Sequence, residues 1–215
     1  MSADRVTDPS DLDRGWFLDA RLSAAERRMQ VPVDPAQVRA AESAAGRAAA
    51  RAALVGLAAR GAVPLEAAMR PIGRGRRGEP LFPVGVVGSI AHGGGVAAAV
   101  CGTSAEGVLA VGTDVHPARP VPAGVAELVA TPVELADAPV DADLAAAVVF
   151  SAKESVFKAW NPLTGRWLEF ADVRIRLAAD GTFRVRTYAV PGAWSGRWSV
   201  AGGLLRTAAW VAAAD

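Results

Sequence analysis

Hydrophobic positions along this chain follow two rhythms: long alanine-rich stretches at helical spacing, and short valine-rich runs cut by glycine and proline. Asp34-Pro35 opens a helix predicted to reach about residue 60 and to end at Gly61, so both ends carry a boundary signal. Runs at 84–92, 96–102 and 108–115 follow, and their close spacing predicts an antiparallel meander. Residues 117–142 hold five prolines and a predicted short helix at 124–136, a linker between halves. A helix over 143–160 starts at Asp141 or Asp143 and stops at Asn161-Pro162, because proline disfavours helical geometry in the residue before it. Runs at 170–177, 182–190 and 204–211 read as strands, the first two joined by the Asp180-Gly181 hairpin signal. Residues 1–20 are polar with one apolar patch, Trp16-Phe17-Leu18, read as an opening strand. The pattern predicts an α+β protein of two similar lobes, 1–118 and 119–215, each a helix on a three-stranded antiparallel sheet.

Composition narrows the classes. With 23 Lys+Arg against 22 Asp+Glu, no global field points to nucleic acid or an anionic membrane. The single Cys101 excludes an internal disulfide and any multi-cysteine metal site, and fits a reducing compartment. Met1-Ser2-Ala3-Asp4-Arg5 does not read as a signal peptide, and apolar runs break well short of a membrane span. The expectation is a cytoplasmic protein.

Chemistry concentrates on the segment Phe150-Ser-Ala-Lys-Glu-Ser-Val-Phe-Lys-Ala-Trp160. At about 100° per residue, Phe150, Val156, Phe157 and Trp160 share one arc, with Lys153 inside it and Glu154 and Lys158 at its edge. Charge beside an apolar stripe needs a partner, an ion or a ligand. Snorkelling lysines and one Glu–Lys pair are the simpler alternative. Asp114 and His116 alternate onto one face at the end of an apolar run. Four arginines crowd the loop at 70–80, which contains Gly73, Gly75 and Gly78 in a G-x-G-x-x-G spacing. Pro71, Pro80 and Pro83 forbid the strand-and-helix frame of a dinucleotide fingerprint, so the loop keeps only its arginine forks, which match phosphate oxygens. Asp114 and Glu154, as sparse oxygen ligands, suit Mg²⁺ shared with substrate phosphates. These features point to phosphoryl-type transfer by positioning and charge stabilisation.

The Phe150–Lys158 block, followed by Asn161-Pro-Leu-Thr-Gly-Arg-Trp167, closely resembles the signature of 4′-phosphopantetheinyl transferases of the surfactin/enterobactin type. Val111-Gly-Thr-Asp114 resembles that family's metal motif, residues 78–92 resemble its third block, and the Arg39…Arg47…Arg51 stretch resembles the arginine helix ahead of it. The resemblance spans roughly residues 36 to 212 and implies a pseudo-twofold relation of the lobes. It also implies transfer of 4′-phosphopantetheine from coenzyme A to a serine of an apo acyl or peptidyl carrier protein, by a monomer, releasing adenosine 3′,5′-bisphosphate. Asp114 and Glu154 would hold Mg²⁺, with His116 at the position of a further metal ligand. Glu154 would take the serine proton, Lys158 would balance diphosphate charge, and Lys153 would support it. Ser89 and His92 would contact phosphates, and Arg39, Arg47, Arg74, Arg51 and Arg77 would clamp them. His116 stands where the family usually has an acid, so a water is expected to replace it at the metal. Phe82 stands for a common tryptophan, and Gly93-Gly94-Gly95 implies a looser loop. Three alternatives remain: a coenzyme A-binding member with weakened transfer, a metal-dependent phosphohydrolase, and a nucleic-acid binder using the arginine loop.

Overall fold

The computed structural model describes residues 19–32, 34–76, 78–187 and 192–213. The expected strand around Trp16-Phe17-Leu18 and the expected clamp Arg77 lie outside them. The first half packs β1 (Leu22–Arg28), β4 (Val86–Gly93) and β5 (Val96–Thr103) into a three-stranded antiparallel sheet, order β1-β5-β4, against the long helix α1 (Pro35–Ala59). Between them lie α2 (Leu65–Ala68) and a two-residue ribbon, β2 (Gly73–Arg74) with β3 (Pro80–Leu81). β5 is buried along its whole length; Ala99 and Cys101 face α1, while Val100 meets the second sheet. Alanines in both α1 and β5 let backbone approach backbone, which explains the alanine excess.

The second half is larger than the sequence pattern implied. β6 (Val108–Pro117) does not complete an N-terminal meander but pairs with β10 (Leu204–Ala212), giving a five-stranded antiparallel sheet, β6-β10-β9-β8-β7. Its remaining strands are β7 (Val173–Leu177), β8 (Thr182–Thr187) and β9 (Ala193–Ala201). β9 escaped the sequence reading because glycine, serine and tryptophan interrupt its alternation, and Gly196 is where the Phe183 ring lies against the backbone. The linker holds two short helices rather than one: α3 (Ala123–Val129) and α4 (Pro132–Ala136) are separated at Ala130-Thr131, where Thr131 forms a capping box with Glu134.

Helix α5 (Ala142–Thr164) is capped by the Asp141 side chain and continues past Pro162. The exposed proline forfeits one backbone bond in the last turn, where little helix remains to disrupt. Gly165 closes the helix at φ 67°, its N–H donating to Asn161 O. The face bearing Ser151, Ala152, Ser155 and Ala159 is fully buried against β6 and β10, not turned to solvent. Gly112 makes that approach possible: a Cβ there would lie 1.9 Å from Ser155 O. The apolar arc packs with Val173, Ile175 and Phe183 of the same sheet. Gly94 and Gly95, at φ 60° and 75°, form a tight two-residue turn, so the glycine triplet is close-packed rather than loose. Among the described residues no helix is long and apolar enough to cross a membrane.

Candidate active site

The two sheets meet where β4 runs beside β6. Thr113 N donates to Ser89 Oγ at 3.1 Å, and Thr113 Oγ1 donates to Thr207 O at 2.9 Å. Thr113 and Val115 are buried on the inner face of β6, which leaves Asp114 and His116 on the other, as alternation requires. Ser89, only 5% exposed, is thus part of the seam between sheets.

Asp114 is the meeting point. Its Oδ2 accepts from Ser151 Oγ at 2.8 Å and its Oδ1 from Lys158 Nζ at 2.7 Å. Ser151 and Ser155 also bond Thr207 Oγ1, at 2.9 and 2.7 Å, so a hydroxyl network fixes α5 on the sheet beneath the carboxylate. Glu154 is half-buried beside this point. Burial raises its pKa above the ordinary carboxylate range and the Asp114 charge adds to that, while Lys158 opposes both. A group so poised favours holding a proton, as a general base about to receive one must.

Lys153 does not join Lys158. Its ammonium is 3.1 Å from Glu134 Oε1 and donates to Phe170 O at 3.1 Å, inside a buried pair that ties α5 to α4 and to the segment before β7. Where support of Lys158 was expected of Lys153, its contacts here are with Glu134 and Phe170 O. Glu134 itself was missed, although Thr131-x-x-Glu134 is the spacing of a capping box and signalled a helix start there.

Two clefts carry the remaining candidate residues. An open one of about 630 Å³ is lined by Arg39, Arg47, Arg74 and His92, with Glu42, Ser43 and Gly78. The His92 ring sits 3.3 Å from Glu42, Arg47 bonds Ser43, and Arg74 Nε donates to Gly78 O at 3.3 Å. Arg51 is not among the lining residues; it donates to Met69 O at 3.0 Å and holds α1 to α2, a correction to its expected clamping role. The smaller cleft, about 110 Å³, is lined mainly by apolar groups, Phe157, Trp167, Leu168, Phe170 and Val173, with Glu154 and Lys153 at one side.

Among the described residues no three His, Cys, Asp or Glu side chains form a ready-made metal cage. The donor set nevertheless fits a hard divalent cation completed by substrate and water. Burial and the nearby Asp114 charge raise the Glu154 pKa, and His116 Nε2 is buried without a hydrogen-bond partner, 3.9 Å from Asp114 Oδ2. The other ring nitrogen, Nδ1, lies 3.0 Å from Pro117 O. Bonding there as a donor leaves the Nε2 lone pair facing the gap.

With this geometry described, sequence comparison gives the family. Residues 110–213 match the profile described as the 4′-phosphopantetheinyl transferase superfamily, and residues 33–102 match that of the 4′-phosphopantetheinyl transferase N-terminal domain. The chain belongs to the 4′-phosphopantetheinyl transferase superfamily and is an enzyme of that class. It is similar to the 4′-phosphopantetheinyl transferase PptT of Mycobacterium tuberculosis, 39% identical over 154 residues, which cover 64% of this chain and 67% of PptT. It also resembles Svp of Streptomyces mobaraensis, 40% identical over 161 residues, covering 66% of this chain and 63% of Svp. Npt of Nocardia iowensis is 34% identical over 160 residues, covering 64% of this chain and 70% of Npt.

Proposed function

We propose that this chain transfers 4′-phosphopantetheine from coenzyme A to a serine hydroxyl of an apo acyl or peptidyl carrier protein, in the presence of Mg²⁺, and releases adenosine 3′,5′-bisphosphate. The observation that carries the reading is the convergence of Asp114, Glu154 and Lys158, with Glu154 lining an apolar cleft, in a chain whose other half carries an arginine-lined one. Coenzyme A has the same division: phosphates and nucleotide at one end, a long weakly polar arm at the other. Arg39, Arg47 and Arg74 offer forks to the phosphates at the nucleotide end. The smaller cleft beside Glu154 receives the start of the pantetheine arm, and the diphosphate then lies over Asp114.

In that arrangement the serine oxygen attacks the phosphorus that carries the pantetheine. A new P–O bond forms, and the bond from that phosphorus to the bridging diphosphate oxygen breaks. Glu154, kept proton-avid by its burial, takes the serine proton. Lys158 shifts between Asp114 and the leaving oxygen, supplying positive charge where negative charge develops. Asp114 and Glu154 would hold the Mg²⁺, whose charge neutralises the diphosphate. Ser151 fixes the Asp114 carboxylate, and Lys153 fixes the helix from its far side. One chain supplies both clefts, so the working unit we propose is a monomer.

The test is the intact mass of a purified apo carrier incubated with this protein, coenzyme A and Mg²⁺, beside a Glu154→Ala control. A gain of one phosphopantetheine that disappears in the control is the expected result. No gain with several carriers, despite measurable coenzyme A binding, would reassign the chain as a coenzyme A-binding module.

A further inference from the structure

The His116 ring is held in one orientation by two contacts. Its Nδ1 lies 3.0 Å from Pro117 O, and the ring tilts against Phe150 with centroids 6.3 Å apart. A carbonyl oxygen can only accept, so Nδ1 carries the proton. Nε2 is then left to face the other way. That atom is withdrawn from solvent and has no hydrogen-bond partner among the described residues. A buried polar atom left unpaired costs free energy, so its placement calls for a reason.

Pairing with Asp114 does not supply that reason. Asp114 Oδ2 is 3.9 Å from Nε2, beyond hydrogen-bond range, and it already accepts from Ser151 Oγ at 2.8 Å. The positive partner of Asp114 is Lys158, at 2.7 Å. His92, the other of the two histidines, shows the contrast: its Nδ1 comes within 3.3 Å of Glu42.

A shared ion accounts for the separation better. Nitrogen and oxygen ligands sit about 2.0–2.2 Å from a first-row divalent ion, so two ligands of one ion are at most about 4.2 Å apart. Each carboxylate oxygen of Asp114 keeps a second lone pair after its one hydrogen bond. A metal-bound imidazole characteristically donates its other N–H to a carboxylate or a backbone carbonyl, which fixes the tautomer and the ring. Pro117 O gives that support, and pairing of Pro117 with Leu204 of β10 holds it in place. The ligand types then decide which ion is favoured. Mg²⁺ prefers oxygen, in near-ideal octahedral geometry. Imidazole suits later first-row ions, whose affinity for nitrogen and oxygen sites climbs from Mn²⁺ through Co²⁺ to Ni²⁺. Cys101, the sole cysteine, is buried against α1 and adds no thiolate.

We propose that His116 joins Asp114 and Glu154 through Nε2 in a mixed nitrogen–oxygen metal centre, which takes a borderline first-row divalent ion such as Co²⁺, Ni²⁺ or Zn²⁺ in preference to Mg²⁺. The inference rests on the transfer reading above and changes the preferred ion and its ligand set, not the reaction. A water in place of His116 then belongs to the Mg²⁺ form alone.

The experiment titrates the full-length protein, free of any affinity tag, with Co²⁺ and with Mg²⁺ by calorimetry, beside His116→Glu and His116→Gln. Desulfo-coenzyme A is present throughout, so that a diphosphate is available without a competing thiol. The ratio of Co²⁺ to Mg²⁺ affinity is expected to fall about tenfold or more in His116→Glu. The proton NMR spectrum of the Co²⁺ form should carry one strongly shifted exchangeable resonance, the Nδ1–H held by Pro117 O, which disappears in His116→Gln. An unchanged affinity ratio overturns the inference, as does a parent that binds no Co²⁺ or shows no shifted resonance. A resonance that survives in His116→Gln belongs to His92 and overturns it equally. Should neither His116 variant fold, His92→Gln decides: persistence of the resonance there supports His116 as the ligand, and its loss overturns it. A parent that binds Co²⁺ through His116 but modifies no carrier with either ion sinks the transfer reading alone. A parent that transfers with Mg²⁺ and shows no imidazole ligand to Co²⁺ sinks this inference alone.

Discussion

The Lys153–Glu134 pair is the point where removing a single charge should hurt the fold most. Both side chains are almost wholly withdrawn from water, at 2% and 3% exposure. Glu134 Oε2 accepts from the Thr131 N–H and hydroxyl, each at 2.8 Å, and Oε1 accepts from Ile175 N at 2.8 Å, with Lys153 reaching both oxygens. Glu134→Gln keeps the shape but turns an amide NH₂ toward either the ammonium or a backbone donor. Removing one partner of such a pair costs about 3–5 kcal/mol, a large part of a stability that is typically about 5–15 kcal/mol for a domain. In a chain of this size the loss corresponds to a fall of roughly 6–20 °C in melting temperature. Lys153→Met should be milder, about 1–3 kcal/mol, since the carboxylate keeps its Thr131 and Ile175 donors. The double variant should recover part of the loss, because the stranded ammonium is gone. Urea unfolding followed by circular dichroism measures all three. A Glu134→Gln loss under about 1 kcal/mol, or strict additivity in the double variant, would refute the pairing argument. Burial works against the Glu134 charge, but the Ile175 and Thr131 bonds, aided by Lys153, outweigh it and hold the carboxylate below its usual range. Its stabilisation is therefore complete above about pH 4.5 and is lost as pH falls through the folded value. Burial lowers the Lys153 pKa, so the cost of its ammonium is full at low pH and fades as pH climbs through the folded value.

Four further outcomes follow from the site itself. Gly112→Ala would place a Cβ 1.9 Å from Ser155 O and 2.6 Å from Ala159 N, both backbone atoms, so α5 must lift from β6. Transfer should drop roughly 10²-fold as Glu154 and Lys158 leave Asp114, with coenzyme A affinity in calorimetry nearly kept; unchanged kcat would contradict the close-packing account. Because burial and Asp114 raise the Glu154 pKa in the metal-free protein, an NMR titration without Mg²⁺ should find it above the usual carboxylate range, and Lys158→Gln, removing the opposing charge, should move it higher. The same raised pKa makes Glu154→Gln stabilising near neutrality, with an advantage that disappears below about pH 4.5; equal unfolding curves at pH 7 would count against it. His116→Glu puts a carboxylate where Nε2 now faces Asp114 without a partner, so it should keep or raise activity and lower the Mg²⁺ concentration for half-maximal rate; a large loss would show that the imidazole itself is needed.

Local chemistry was legible wherever a side chain's role depends on its neighbours in sequence. The α1 boundaries, the Asp180-Gly181 turn and the shared face of Asp114 and His116 follow from caps, turn residues and period two. What failed depends on pairing over long separations. β6 reads as a third strand of its own meander because nothing in Val108 to Val115 encodes a partner some ninety residues on, yet it registers against β10 from Leu204–Pro117 onward. The serine and alanine face of α5 carries no local signal of burial, since small side chains are as common on surfaces as in close helix–sheet contacts. Gly112 and Thr207, far away in sequence, decide between the two. Lys153 lies inside the apolar arc and Lys158 at its edge, but the sequence does not name what meets each, Glu134 in one case and Asp114 in the other.

That division explains why the site lies where it does. A strand hydrogen-bonded to β10 and also packed beside β4 is held from both sides, so the Asp114 carboxylate projects from a well-fixed backbone. Helix α5 is held on one face by serine hydroxyls and on the other by the Lys153 anchor, leaving Glu154 and Lys158 with no freedom to drift along it. The groups proposed to meet phosphate, by contrast, are long arginine side chains on α1 and on a two-residue ribbon, which can re-aim their forks toward a ligand without moving the carboxylates. Rigid carboxylates and adjustable cations suit transfer by positioning: charge can follow the nucleotide as it enters and leaves while the reacting geometry stays fixed.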